Sequence, residues 1–541
     1  MKKILGAAIG TCVHVGGLHH FLKYAETEGY QTISLGPAVP FFRLIRAIQQ
    51  EKPDIIALSY RMTPEVAIIL FEQLKSIIKN NGFESLSFIF GGPLPVAEVA
   101  RQSKIFKVVF DGTQTIEEIK NYFRGQSSKN HSHNAANTLL ERIEQKYPYP
   151  LLRHHFGRPT LMETIEGVRT IANAGVVDVI SLGPDQNAQE YFFHPEKMDF
   201  LQDGAGGVPL RKPEDLEALY RNSQTGNFPL MRCYAGTQEL LKWAIMSVST
   251  IHNAWGAIPL CWYSVIDGRS SRPIDVAIRE HQVVMKWYAE QGIPVEVNES
   301  HQWSLRDAHD SLAVAMAFLA AYNAKKMGVK NYVAQFMFNT PPETSSSMDI
   351  AKMLAKMELI EELEDPDFSM IREVRAGIAH FSPIPSVAQG QLAASAVISL
   401  TLKPHIIHVV GYSEGDHATY PDELINSCNI VHGVLRNCLY GFPRIIDDSL
   451  ITKRKDELKH EARDLLEAIK LFAKGTSNDP WADPVVIANA IKTGLFDAPH
   501  FRGNPYLFGK ITTRMINGAC YAINIETGDP VSEKERAAAF Y

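Results

Sequence analysis

The stretch Gly10-Thr-Cys-Val-His14-Val-Gly-Gly17 places one imidazole among glycines directly after an apolar run, Lys3–Ile9. Neutral imidazole is a good ligand for borderline transition metals, and Gly16 and Gly17 would let a bulky ligand lie against bare backbone. A phosphate-cradling reading of the same turn fails on two counts. GxGxxG is absent, and the second apolar run ends Leu35-Gly36-Pro37 with no acid to hold a ribose. A second set of polar residues falls further along, where strands of a larger α/β region end. These are Arg232 and Tyr234, then Tyr263, Asp267 and Arg269, then Glu299 and His301, Arg372 and Arg375, and finally Glu414 and His417. Arginine suits bidentate carboxylate binding, so Arg232 and Arg269 are candidates to anchor an acid, with Glu414 and His417 completing the candidate catalytic set. His405 and His408 lie inside a strand and read as core histidines.

The elements that must position these groups follow from periodicity. Residues 1–125 alternate strand and helix: strands at Lys3–Ile9, Thr32–Leu35, Asp54–Ser59, Leu86–Phe90 and Val108–Phe110, helices at His19–Thr27, Phe41–Gln50, Pro64–Lys79 and Ile116–Phe123. That pattern predicts an α/β fold, a doubly wound, flavodoxin-like parallel sheet, with His14 at the carboxyl edge where such sheets bind ligands. Residues 126–148 begin polar and aperiodic and read as a linker. Over 149–445 the alternation resumes, with strand candidates near Val179, Pro209, Leu230, Ile258, Val295, Val333, Ile371 and Ile406. Eight βα units fit a (βα)8 TIM barrel with its polar mouth at the strand carboxyl ends. Residues 446–541 read as a C-terminal helical extension and tail.

The first unit resembles the cobalamin-binding domain shared by mutases, methionine synthase and related proteins. That family carries Asp-x-His-x-x-Gly, then Ser-x-Leu, then Gly-Gly; here His14 and Gly17, Ser59, and Gly91-Gly92 match. The resemblance implies cobalamin as cofactor and His14 as the metal ligand, replacing the cofactor's own dimethylbenzimidazole below the cobalt. It also implies a nucleotide-tail slot lined by Ser59, Gly91, Gly92, Gly112 and Thr113. Two positions depart from the pattern: Cys12 stands for the family's Asp and Arg61 for its Leu. A thiol is a poorer acceptor than a carboxylate, so the ligating ring would be tuned differently.

The remainder resembles the catalytic barrel subunit of glutamate mutase (methylaspartate mutase), most clearly at Ile491-Lys-Thr-Gly-Leu-Phe-Asp-Ala-Pro499, Gly503-Asn-Pro-Tyr506 and Glu526-Thr-Gly-Asp-Pro-Val-Ser-Glu533. Barrel and cobalamin domain are commonly separate chains in that family; the resemblance implies that here they would be fused. The resemblance implies an adenosylcobalamin-dependent carbon-skeleton mutase, a radical isomerase in which the barrel shields the reaction from water. Ala254 and Leu260 fall where the family has polar amino-acid-binding groups. A site lined by them with Trp255 and Trp262 would leave an ammonium unpaired, so the expected substrate is a small organic acid other than glutamate. A methylcobalamin-dependent methyltransferase remains an alternative, although a strand beginning at Lys3 leaves no room for the protective helical cap expected of that class. A cobalamin carrier or sensor without enzyme activity is the third.

Composition agrees with a globular enzyme: 45% hydrophobic and 21% charged residues, with a net charge of −6. An acidic balance argues against a nucleic-acid or anionic-membrane partner. Gly6, Gly10 and Thr11 break the apolar start, so no signal peptide is read there. The six cysteines show no zinc spacing, as expected of a reduced, cytoplasmic chain. A small-molecule substrate and a second copy in a homodimer are the expected partners.

Overall fold

In a computed structural model, the short apolar runs of residues 1–125 form one parallel sheet. The structure describes residues 2–114, 116–126, 136–234, 236, 238–438, 441, 445–473 and 475–540. They divide into two units, Met1–Ser132 and His133–Tyr541.

The first unit holds β1 (Lys3–Ala8), β2 (Gln31–Ser34), β3 (Ile55–Ser59), β4 (Ser87–Gly91) and β5 (Val108–Phe110), in the order β2-β1-β3-β4-β5. All four pairings are parallel. Every residue of β3 is buried, which is why this strand reads as an unbroken apolar run. Neighbouring β1 and β3 lead into helices on opposite faces, and their carboxyl ends frame the crevice in which such folds bind ligands. Gly10 makes the turn out of β1 with φ +67°, a conformation other residues rarely adopt. The helix Leu94–Ser103 was not legible: Pro93 and Pro95 look like breakers, yet proline is tolerated in a first turn.

The second unit is a parallel eight-stranded barrel. Its strands are β6 (Leu151–Phe156), β7 (Val179–Leu182), β8 (Leu230–Cys233), β9 (Gly256–Ile258), β10 (Val295–Val297), β11 (Asn331–Phe338), β12 (Ser369–Ala376) and β13 (Ile406–His408). Their order is β8-β7-β6-β13-β12-β11-β10-β9. Closure between β8 and β9 is partial: Ala254 N donates to Met231 O (2.9 Å) and Cys233 N to Asn253 Oδ1 (3.1 Å).

The count of eight was right, but one member was not. Pro209 lies in no strand; its neighbourhood contributes an isolated bridge, Pro184 to Val208. The missed strand is β6, whose Arg153, His154 and His155 disguise a segment that is almost wholly buried. Within 126–148, read as linker, Leu139–Lys146 is a helix, and Leu139 is buried with Leu151 and Val179 at the base of the barrel. Residues 127–135 of that linker lie outside the described residues.

The C-terminal stretch packs as part of the second unit. Helix Ser449–Ala468 lies along helices Asp310–Lys326 and Ser346–Glu361. In the segment ending at Pro499, the buried Asp497 carboxylate accepts from the backbone N–H groups of Ala498, Gly509, Lys510 and Ile511 at 2.9–3.0 Å.

Candidate functional site

At the carboxyl ends of β1, β3 and β4 the first unit opens a cavity of about 540 Å³, well within the range of small-molecule sites. His14, Gly16, Gly17 and Ser59 line it, joined by Arg61, Gly91, Gly92 and Gly112. Local structure explains each placement. His14 sits in the β1 loop just before helix Gly16–Thr27, Ser59 ends β3, and Gly91 ends β4. A Cβ built on Gly16, Gly17, Gly91 or Gly112 would meet nothing within 4 Å. Gly92 differs: its Cβ would lie 2.6 Å from Tyr60 O and 2.8 Å from Phe90 Cε1. Ser59 is 9% exposed and its Oγ has no hydrogen-bond partner among the described residues. A buried orphan hydroxyl facing a cavity calls for a ligand.

Two of the expected cofactor-binding residues, Cys12 and Thr113, are not in the cavity lining. Cys12 is fully buried, with Sγ 3.8 Å from Nδ1 of the exposed His14 ring. Thr113 donates from N and Oγ1 to Asp111 Oδ1 (3.2 and 2.6 Å) and so belongs to the turn closing the cavity. Asp111, which does line the cavity, was not legible in advance. The Thr113 hydroxyl, with Arg101, holds its carboxyl well below the usual range.

The barrel interior is layered. Its apolar floor includes Leu151, Val179, Leu230, Val333, Ile371 and Ile406. Two residues later on the same strands stand Arg153, Ser181, Arg232, Gln335, Glu373 and His408, the next inward positions of a period-two pattern. Glu296 of β10 joins them: it accepts from Arg232 Nη2 (3.0 Å), Trp255 Nε1 (2.7 Å) and Gln335 Nε2 (2.6 Å). Arg153 Nε lies 3.1 Å from Glu373 Oε1, and Arg153 Nη2 lies 3.0 Å from His408 Nδ1.

Above this layer the Tyr234 hydroxyl contacts His155 Nε2 at 2.8 Å. Burial, reinforced by Arg153, holds His155 and His408 neutral well below the usual imidazole range. Burial also raises the Glu373 carboxyl and lowers Arg153 to about 10. Arg153 Nε and Nη1, Arg232 Nε, both Glu373 oxygens and His408 Nε2 make no hydrogen bond among the described residues. Fully buried ions cost several kcal/mol each to desolvate, so such a layer is weak evidence for stability and a mark of function.

Of the four catalytic candidates, only Arg232 enters this layer. Arg269 lies 40% exposed in a loop, stacked over Tyr263 and 3.7 Å from Asp267. Glu414 accepts from Gly411 N (2.7 Å) within its own loop and lies 3.2 Å from His154. His417 is 39% exposed between Asp416 and Glu423. Glu299 is buried, accepting from Leu260 N, Cys261 N and Trp303 Nε1. Ala254 belongs to the floor cluster, and Leu260 and Trp262 to the main core; only Trp255 touches the charged layer. The four-residue lining from which an ammonium was excluded therefore does not exist as such. Arg153, Glu296 and Glu373 were missed because charge inside a strand reads as solvent-facing, although Val295-Glu-Val297 bounded by apolar residues was a usable signal.

Comparison with known proteins bears on the first unit. Residues 2–120 match the family model of the B12 binding domain. Among solved structures, a novel cobalamin-binding protein from Desulfitobacterium hafniense DCB-2 is 23% identical over 23% of this chain, with a TM-score of 0.20, and the chain spans 58% of that protein's length. The cobalamin-dependent S-adenosylmethionine radical enzyme OxsB, solved with aqua-cobalamin and S-adenosylmethionine, is 11% identical over 88% of this chain and 67% of its own, with a TM-score of 0.18. No curated protein matches. Among the described residues no helix is long and apolar enough to cross a membrane.

Proposed function

We propose that the chain is an adenosylcobalamin-dependent carbon-skeleton mutase acting on a small organic acid. One observation carries the reading: a His14-rimmed cavity, in the stretch matching the B12 binding domain, occurs in the same chain as a parallel barrel with a buried charged layer. The first unit's residues fit the cofactor. Ser59 offers an unpartnered buried hydroxyl, and the bare glycines leave space that any Cβ would fill. His14 would hold the cobalt, with Cys12 beside Nδ1 leaving Nε2 as the ligating nitrogen. When bound, adenosylcobalamin supplies a 5′-deoxyadenosyl radical.

The barrel's residues bind and shield. Glu296, fixed by Trp255 and Gln335, orients Arg232, while Arg153 Nη1, which makes no hydrogen bond among the described residues, would serve an acid's oxygen. The apolar floor closes the barrel's amino-terminal end to water. The test has two steps. His14→Ala is expected to abolish cobalamin retention or to shift the bound absorption spectrum; full retention with an unchanged spectrum refutes His14 as ligand. Adenosylcobalamin-loaded protein mixed with a panel of short-chain acids, glutamate included, is expected to give an electron paramagnetic resonance signal with at least one of them. Silence across the panel favours the carrier or sensor reading.

A further inference from the structure

The cavity of the first unit carries one uncompensated charge. Asp111 is the sole acid among its described lining residues, and Arg101 is paired with it. Thr113 and Gln114 occupy Asp111 as well, Gln114 Nε2 at 3.0 Å from Oδ1. Arg61, in the same lining, has no ion pair or hydrogen bond among the described residues and is exposed on the cavity rim.

A second feature points the same way. Helix Gly16–Thr27 opens on the cavity with Gly16, Gly17 and Leu18 in the lining. It has no side-chain cap and no acid in its first turn, so its first amide N–H groups and positive dipole end are left without an internal partner. Anions bind at such helix starts. The independent sign of a ligand is Ser59, whose buried Oγ faces the same cavity with no partner. A guanidinium, helix amides and a hydroxyl donor around a glycine-rich space whose one carboxylate, Asp111, is already occupied by Arg101, Thr113 and Gln114 recognise a monoanionic phosphodiester.

We infer that Arg61 is a binding residue for the phosphodiester of the cobalamin nucleotide tail. The inference rests on the cobalamin reading of this cavity and deepens it: the tail is held by charge as well as by shape. A charge-assisted hydrogen bond is worth about 1.5–3 kcal/mol, so removing it weakens binding by roughly ten- to a hundredfold.

The experiment titrates the full chain and its Arg61→Leu and Arg61→Lys variants with hydroxocobalamin and with dicyanocobinamide, which lacks the phosphodiester and nucleotide. Affinity is read from absorption. Arg61→Leu is expected to weaken hydroxocobalamin by that factor, leave dicyanocobinamide unchanged, and flatten the salt dependence of hydroxocobalamin binding; Arg61→Lys is expected to retain most of the affinity. An equal loss for both corrins places Arg61 against the corrin amides and overturns the inference, as does no loss for either. Inorganic phosphate at millimolar concentration and constant ionic strength is expected not to displace hydroxocobalamin. Displacement there makes this a free-anion site and also overturns it. If the parent protein retains no hydroxocobalamin, the cobalamin reading itself fails; if it does and only the Arg61 responses are absent, that reading stands alone.

Discussion

The adjacent glycines Gly91 and Gly92 should respond in opposite ways to substitution. A Cβ on Gly92 would sit 2.6 Å from the Tyr60 carbonyl oxygen, and ordinary contact begins near 3.4 Å, so backbone must move by 3.4 − 2.6 = 0.8 Å. The Phe90 ring, 2.8 Å away, can turn aside, but Tyr60 O belongs to the chain leaving β3. Overpacking of this kind costs about 1–3 kcal/mol. At roughly 3–5 °C per kcal/mol for a unit of this size, Gly92→Ala should lower its melting temperature by about 3–15 °C. A Cβ on Gly91 meets nothing within 4 Å, and replacing a strand glycine restricts the unfolded chain, which stabilises by about 0.4–1 kcal/mol. Gly91→Ala should therefore leave stability level or slightly raised, while Gly91→Leu fills part of the cavity and should weaken hydroxocobalamin binding at least about a hundredfold, near 2.7 kcal/mol. Calorimetry of the full chain, with hydrogen exchange read on peptides from β1 to β5, gives the stabilities, and absorption titration gives the affinities. Gly91→Leu binding hydroxocobalamin as the parent does would refute the cavity as its site. Equal destabilisation by Gly91→Ala and Gly92→Ala would refute the division of labour.

Cys12→Asp should strengthen the hold on the His14 ring, since a carboxylate near Nδ1 is a better acceptor than a thiol now 3.8 Å away; unchanged affinity and spectrum with hydroxocobalamin would make Cys12 a bystander. Arg232→Met leaves Glu296 buried without its closest cation and should cost about 3–5 kcal/mol in urea unfolding of the barrel; a loss below about 1 kcal/mol would show that Trp255 and Gln335 suffice. Acid should destabilise the second unit. Burial holds His154, His155, His301 and His408 below the usual imidazole range, and lowers His281 from 6.5 to about 3. The unfolded chain therefore takes up protons below about pH 6.5 that the folded chain refuses, costing up to about 1.4 kcal/mol per pH unit per ring. Glu299, Glu373 and Asp349, raised by burial, act in the opposite direction but are fewer. The urea midpoint should fall from pH 7 to pH 5, and a midpoint that rises would refute the balance.

Sequence alone determined the first unit almost completely. Its central strands β1, β3 and β4 are largely buried and so read as apolar runs, and His14, Ser59 and Gly91-Gly92 each lie at a strand end that a local pattern can locate. It also counted eight βα units after residue 148, with one strand misplaced. Only the tertiary structure decided the barrel interior. There, period-two alternation turns Arg153, Arg232, Glu296 and Glu373 inward, against the rule that charge faces water, and their partners come from strands far apart in the chain. The same ambiguity moved one strand from Leu151–Phe156 to Pro209 and drew attention to Arg269 and His417, which the folded chain leaves at its surface. A strand-end loop is specified by its neighbours in sequence; a buried ion is specified by neighbours in space, and no window of sequence contains them.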